Sequence, residues 1–292
     1  MRSQVHLHNF LFLAGLVLSY PSWSQRWGIQ LPEQLKEISG LASPDNKQLW
    51  ALNDGGNTAE LFRIDPKSGK ILERYAPGVP NRDWEELCVD SFGRFWIADT
   101  GNNLNNRKNL RFYCFDPITR QVDSLLFHYP DQLAYPPKKE EDWNFDTEAV
   151  VWHNNRLHLF TKSRFKGRHY TKHYQLTAVP GTQVAELVDS LQIPRRAVTA
   201  AALSPDGQEL VLIAYFFQKK PWLYTRATLY HFSSFQGTRF LGGKIKKKRL
   251  PKGLFARQFE SVVHFQGGWW VANERLMWQA PKLWKLKFKP LK

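Results

Sequence analysis

Three glutamates hold the same place in a recurring pattern. Glu85, Glu148 and Glu260 each open a short apolar run, EELCVD, EAVVWH and ESVVHF. Thirteen or fourteen residues later a second apolar run ends in Asp99, Thr161 and Asn273 respectively. Two further copies pair Ser39 with Asn53 and Ala201 with Ala214. Carboxylates converging on one axis repel one another and raise one another's pKa. A divalent cation relieves that repulsion. Oxygen donors from carboxylates and amides, with no His–Cys cluster in the sequence, suit Ca²⁺ rather than zinc. Glu85, Glu148, Glu260, Asn53, Asp99 and Asn273 are therefore the expected metal ligands. The alternative use of the same atoms is to bond backbone N–H groups and channel water.

The elements that must bring these residues together recur as well. First strands are expected at ISGLA (38–42), EELCVD (85–90), EAVVWH (148–153), AAALS (200–204) and ESVVHF (260–265), each followed by a turn of Asp, Asn and Gly. Second strands follow at LWALN (49–53), FWIAD (95–99), LHLFT (157–161), LVLIA (210–214) and WWVAN (269–273). A hairpin held at nearly constant spacing in five places is one repeated unit. A third strand follows a variable loop in each copy, and a fourth precedes a proline in the first four copies. The last copy stops after its third strand, while WGIQLP (27–32) supplies a strand of the missing shape. Four-stranded units that cannot bury both faces alone stack around an axis. The expected fold is all-β: a five-bladed β-propeller of four-stranded blades, closed by the N-terminal strand pairing with the last blade. Six blades is the alternative, with the sixth in 130–147, although that segment has no strand–turn–strand signal. Trp50, Trp96, Phe160 and Trp270 fall in second strands, where large side chains fill the wedge between blades.

Composition agrees. Hydrophobic residues make up 42% and charged residues 23% of 292, unlike a disordered chain, and twelve tryptophans suit wide sheet-to-sheet packing. A net charge of +15 favours anionic partners as well as solubility. Near the N-terminus Arg2 precedes the apolar run FLFLAGLVL (10–18), then Ser22 and Ser24. This is the layout of a secretory signal peptide cleaved after Ser24, and the run is too short to span a bilayer. Residues 1–24 are thus expected to be a signal peptide and 25–292 a single propeller domain, secreted or periplasmic and monomeric. Cys88 and Cys114 fall in the first and third strands of one blade, about 9.6 Å apart, beyond disulfide reach. Two buried free thiols are expected. The basic run KIKKKR (244–249) lies on an outermost strand, where lysines discourage edge pairing. Without interleaved aromatics it is no sign of nucleic acid.

Loops after the second strands open on the mouth that carries the glutamates, and they are basic. Arg107, Lys162, Arg164, Arg168, His169, Arg226 and Arg275 are the expected contacts to an anionic ligand bridged to the cation. Trp84, Phe165, Tyr170, Trp222 and Tyr224 are placed to stack on a ring. The order ISGLA…LWALND-G-N…LFRID, then D-W-E-E…D-T-G-N-N…R…LRFY, resembles extracellular propellers of the phytase-like and gluconolactonase-like type, and more loosely calcium-activated nucleotidases. Those families place a divalent metal at the channel mouth on carboxylates and amides, so the resemblance implies the same metal positions named above. The fourth blade departs from the pattern, with Ala201 and Ala214. Two readings of function follow. One is capture of a small anionic ligand or acidic polymer, such as a phosphate, nucleotide, acidic sugar or peptide. The other is hydrolysis of phosphoesters or lactones with Glu85, Glu86 or Glu148 as base. A structural module for protein interaction is the third possibility.

Overall fold

Each apolar pair of runs forms a hairpin, and each hairpin grows outward into a sheet. A computed structural model describes residues 28–163, 170–216, 227–250 and 257–287. Strand β1 (Ile29–Gln30) precedes blade 1, which contains β2 (Ile38–Ala42), β3 (Leu49–Asn53), β4 (Leu61–Ile64) and β5 (Ile71–Tyr75). Blade 2 contains β6 (Trp84–Val89), β7 (Phe95–Asp99), β8 (Arg111–Phe115) and β9 (Val122–His128). Blade 3 contains β10 (Asp146–His153), β11 (Arg156–Lys162), β12 (Tyr170–Thr177) and β14 (Glu186–Gln192), with β13 (Gly181–Val184) between the last two in sequence. Blade 4 contains β15 (Arg196–Leu203), β16 (Glu209–Phe216), β17 (Thr228–Ser233) and β18 (Lys244–Arg249). Blade 5 contains β19 (Phe259–Phe265), β20 (Gly268–Asn273) and β21 (Lys282–Lys285).

The innermost strands touch in the cycle β2–β6–β10–β15–β19–β2, which closes the ring into a five-bladed β-propeller. Blade 5 is completed by β1, whose Ile29 and Gln30 pair antiparallel with Leu283 and Lys282 of β21. Of the residues between 130 and 147, Asp146 and Thr147 begin β10 of blade 3 and the rest add a short 3-10 turn at Glu140–Asp142 and no strand, so they form no sixth blade.

The core is divided as the ring demands. Buried apolar residues fall into five clusters, each spanning the gap between two neighbouring blades. Trp50 meets Phe95 across the gap between blades 1 and 2 at 5.3 Å. Trp96 packs with Val150 and Leu157 between blades 2 and 3. Phe160 faces blade 4, and Trp270 faces blade 1. Cys88 and Cys114 both pair with Trp96, from opposite sides, and are free thiols as the strand spacing requires. Cys114 is buried, whereas Cys88 is only half-buried, a departure from the expectation.

One element was not foreseen. Strand β13 leaves blade 3 and pairs parallel to β9, becoming a fifth strand of blade 2. Its register runs from Gly181 opposite Leu125 to Val184 opposite His128.

Candidate metal centre at the channel mouth

All five innermost strands carry a β-bulge at the same position. Ile38 pairs with Asn53 and Gly40 with Leu52, leaving Ser39 as the extra residue. The same shift isolates Glu85, Glu148, Thr199 and Glu260. A bulge leaves one residue outside the ladder and re-aims its side chain. Blade 4 therefore contributes Thr199 to this ring, not Ala201: its hairpin runs fifteen residues from the bulge to Ala214, and counting back thirteen lands two positions too far along the strand. Where the bulged residue is a hydroxyl it joins blades. Ser39 Oγ donates to the Glu85 carbonyl at 2.5 Å, and Thr199 Oγ1 donates to the Phe259 carbonyl at 2.9 Å.

Where it is a glutamate, it meets further acids. One carboxylate oxygen from each of Asp54, Asp83 and Glu85 lies within 4.8 Å of the others, and the same holds for Glu85, Asp146 and Glu148. Donors about 2.4 Å from a shared Ca²⁺ are at most about 4.8 Å apart, so each triad has the dimensions of a cation site. Glu85 belongs to both. It is 3% exposed, and no described residue donates a hydrogen bond to its carboxylate. Burial first, then Asp54, Glu148, Asp146 and Asp83, push its pKa well up. Burial likewise raises Asp54 and Asp83 to about 6, and raises Glu274, beside Glu260, well above the usual carboxylate range.

Two glycines make room for these carboxylates. A Cβ on Gly101 would collide with the carboxylates of Glu85 and Asp83, and one on Gly55 would come within 2.6 Å of Asp83 Oδ1.

Asp54, Asp83, Asp146 and Glu274 were not singled out from sequence, yet a signal for them exists. Asp83 and Asp146 each stand two residues before a bulged glutamate, in DWE and DTE. Asp54 and Glu274 each follow the asparagine that ends a second strand. Such acids sit one step beyond the positions that the strand pattern marks.

Asp99, Asn273 and Asn53 each make further hydrogen bonds, although Asp99 Oδ2 and Asn53 Oδ1 have no partner among the described residues. Asp99 accepts from Arg107 Nη2 at 2.8 Å and from the Asp83 N–H at 3.2 Å. Asn273 accepts from Trp284 Nε1 at 2.8 Å and donates to the Glu274 carbonyl at 2.9 Å. Asn53 donates to the Gln34 carbonyl at 2.6 Å, while its Oδ1 is buried without a donor among the described residues. Of the three, Asp99 is the one carboxylate, and it joins neither acid triad. Glu86 points away from the acids. It accepts from the N–H groups of Leu87 at 3.0 Å and Ala201 at 3.5 Å, so one carboxyl group bonds innermost strands of two blades. Burial holds its pKa far above normal. Beyond it, at the opposite mouth, lies a cavity of about 370 Å³ walled by Leu41, Leu87, Val151, Leu203 and Val263.

Of the seven basic residues expected to hold an anion, three are described, and all three face carboxylates. Lys162 is 4% exposed and ion-paired with Glu148 inside the acid cluster. Arg107 folds back over Asp99, lies 4.0 Å from Asp83 and donates to the Gly101 carbonyl at 2.5 Å. Arg275 pairs with Glu33 at the surface. Arg164, Arg168, His169 and Arg226 lie outside the described residues, as does the expected signal peptide. The asparagines after Gly101 are structural: Asn102 gives its N–H to Asp146 Oδ1 at 2.6 Å and its Nδ2 to the Phe145 carbonyl at 2.9 Å, tying blade 2 to blade 3. Among the described residues, no helix is long and apolar enough to cross a membrane.

No protein-family profile matches the chain, and no curated sequence matches it. Solved structures do. Hydrazine synthase of Kuenenia stuttgartiensis shares 12% identity at a TM-score of 0.42, over 82% of this chain and 56% of that one. The Cps50 (Swd1) β-propeller domain of Myceliophteria thermophila shares 13% at 0.41, over 86% and 84%. The extracellular domain of a hybrid two-component system of B. thetaiotaomicron shares 12% at 0.34, over 88% and 28%. The chain thus spans little more than half of the hydrazine synthase chain. These likenesses concern the fold, and the fold by itself is one that serves interaction modules and enzymes alike. The resemblance to phytase-like and gluconolactonase-like propellers gains no family match.

Proposed function

We propose that this propeller binds a divalent cation at the channel mouth, Ca²⁺ on the evidence of its all-oxygen donor set, and through that cation a small anionic ligand. Asp54, Asp83, Glu85, Asp146 and Glu148 hold the ion, with Glu85 common to both triads. The reading is carried by the Glu85 carboxylate: it is buried, ringed by four other acids and supplied with no hydrogen-bond donor by any described residue. A buried charge without a partner is either neutralised by a proton or compensated by a cation. Gly55 and Gly101 support the same reading, because both leave space where a side chain would displace the carboxylates. Glu260 and Glu274 add negative potential from blade 5, and Lys162 offsets part of it. The anion would then be a phosphate, nucleotide, acidic sugar or peptide, met by the cation and by the basic loops containing Arg164, Arg168, His169 and Arg226.

Calorimetric titration of metal-free protein with Ca²⁺ tests the cation, with Glu85→Gln alongside. Saturable binding by the native chain that is weakened about a hundredfold or more in the variant is expected, since one of the charged ligands is lost. Absence of saturable Ca²⁺ or Mg²⁺ binding overturns the reading. A screen of phosphomonoesters, nucleotides and lactones with Ca²⁺ present then separates capture from hydrolysis.

A further inference from the structure

Charge is sharply segregated along this chain. Residues 210–259 contain eleven Lys and Arg and no Asp or Glu. Apart from Glu209, which opens β16, that stretch supplies the outer three strands of blade 4, and its cations concentrate on β18, KIKKKR, the free outer edge of that sheet. Lys244, Lys246, Lys247 and Arg249 are exposed, and none forms an ion pair with any described residue. Their cross-strand partners on β17 are Ser233, His231, Tyr230 and Thr228, so no carboxylate faces them there either. Lys248 leans toward blade 5 and bonds the Lys287 carbonyl, adding Lys285 and Lys287 to the same side of the ring.

Protection of an open edge explains one or two charges of either sign. It does not explain five cations in six residues on one blade alone. The other outer strands show what edge protection needs here. Strand β5 carries Glu73 and Arg74, β14 carries Glu186 and Asp189, and β1 carries neither sign. Strand β9 has no Lys or Arg and is covered by β13. Like charges on adjacent positions of one strand repel, and the one carboxylate of the outer three strands, Glu209, is engaged with His231.

We infer that β18 is a docking ridge for a linear polyanion, an acidic polysaccharide bearing sulfate or carboxylate groups. Strand geometry sets the match: Lys244, Lys246 and Lys248 repeat on one side at about 6.8 Å, Lys247 and Arg249 on the other, over a ridge about 17 Å long. A chain laid along the edge meets cations from both sides. Nucleic acid fits less well, because the rings beneath the cations among the described residues, Tyr230 at 5.2 Å from Lys247 and His231 across from Lys246, are buried and offer no face for a base to stack on. The site is independent of the acid mouth.

Binding of dextran sulfate to the full chain, at low and at high salt, tests the ridge. Lys244, Lys246, Lys247 and Arg249 are replaced together by Ser, and a control replaces the exposed Lys47, Lys67, Lys70 and Lys138 by Ser. The expected result is saturable binding that weakens with salt and falls by about tenfold or more in the ridge variant, while the control retains native affinity. Both variants should melt as the native chain does and keep its response to Ca²⁺. Equal losses in both variants, or ridge-dependent binding to anionic vesicles or oligonucleotides with none to dextran sulfate, would overturn the inference.

Discussion

Lys162 and Glu148 form an ion pair within a cluster that is otherwise acidic, each side chain 4% exposed. Both come from one hairpin: Glu148 is the bulged residue of β10, and Lys162 ends β11 directly opposite Asp146. The lysine is the built-in counter-ion of the mouth. Removing one partner of a buried pair commonly costs about 3–5 kcal/mol. Lys162→Met should lower the melting temperature markedly in EDTA. Ca²⁺ should recover more of the loss than it adds to the native chain, because a divalent ion replaces the missing charge. A variant with the native Ca²⁺ response would show that Lys162 and the cation do not share a field.

The acids of the mouth should make stability fall, not rise, with pH. Burial raises Asp54 and Asp83 to about 6 from a usual value of 3.8, and pushes Glu85 and Glu274 well above the usual carboxylate range. Over that range these acids hold more protons in the folded chain than in the unfolded one, so their contribution to stability falls as pH rises. Burial also lowers the pKa of His153, His158 and His264, which pulls the other way over the same range, so the acids are read by difference. From pH 5 to pH 7 the metal-free native protein should gain less, or lose more, melting temperature than metal-free Asp54→Asn. Saturating Ca²⁺ should shrink or reverse that difference, releasing protons as it binds. Melting curves of both chains at both pH values, in EDTA and in Ca²⁺, check this; equal pH dependence of the two metal-free chains contradicts it.

Gly101→Ala isolates the cradle from the fold. The added methyl falls on the Glu85 and Asp83 carboxylates at the mouth, at the rim of the ring rather than in a core cluster. Calcium affinity should drop by about tenfold or more, with a stability loss of about 1–3 kcal/mol in the metal-free chain. Native affinity in this variant would place the cation elsewhere.

Closure depends on a short clasp. Gly28 has φ +70°, and a Cβ there would lie 2.7 Å from the Trp284 ring. Gly28→Val should cost about 2 kcal/mol or more through strain and overpacking, and hydrogen exchange should quicken at Leu283 and Lys282, which β1 covers.

How much of this was legible beforehand differs by level. The repeat, the blade count and the closing strand follow from hairpin spacing and turn residues, because five copies of one unit reinforce one another. Thr199 escapes the spacing rule, since the longer hairpin of blade 4 shifts the bulge without changing the apolar pattern. Asp83 and Asp146 were passed over because attention to strand starts ignores the residue two places earlier, and only the bulge turns all of these acids toward one point. Strand β13 was invisible for a plainer reason: GTQV has no apolar alternation, and its partner is β9, more than fifty residues away. Arg107 and Lys162 looked like rim cations by sequence position, but their bonding shows them serving carboxylates of their own chain.

Strand β13 belongs to blade 3 by covalent connection and to blade 2 by its ladder. These two wedges are stapled along their outer rim, as Asn102 staples them at the mouth. A torus that breathes must then do so at its other seams, above all where β1 grips β21 by a two-residue ladder and the bond from the Leu31 N–H to the Pro281 carbonyl. Asp83, Glu85, Asp146 and Glu148 all ride on the stapled half. Breathing would leave that quartet intact and swing Asp54 and Glu274 outward, so an ion held as proposed would have a way in and out without dismantling the quartet.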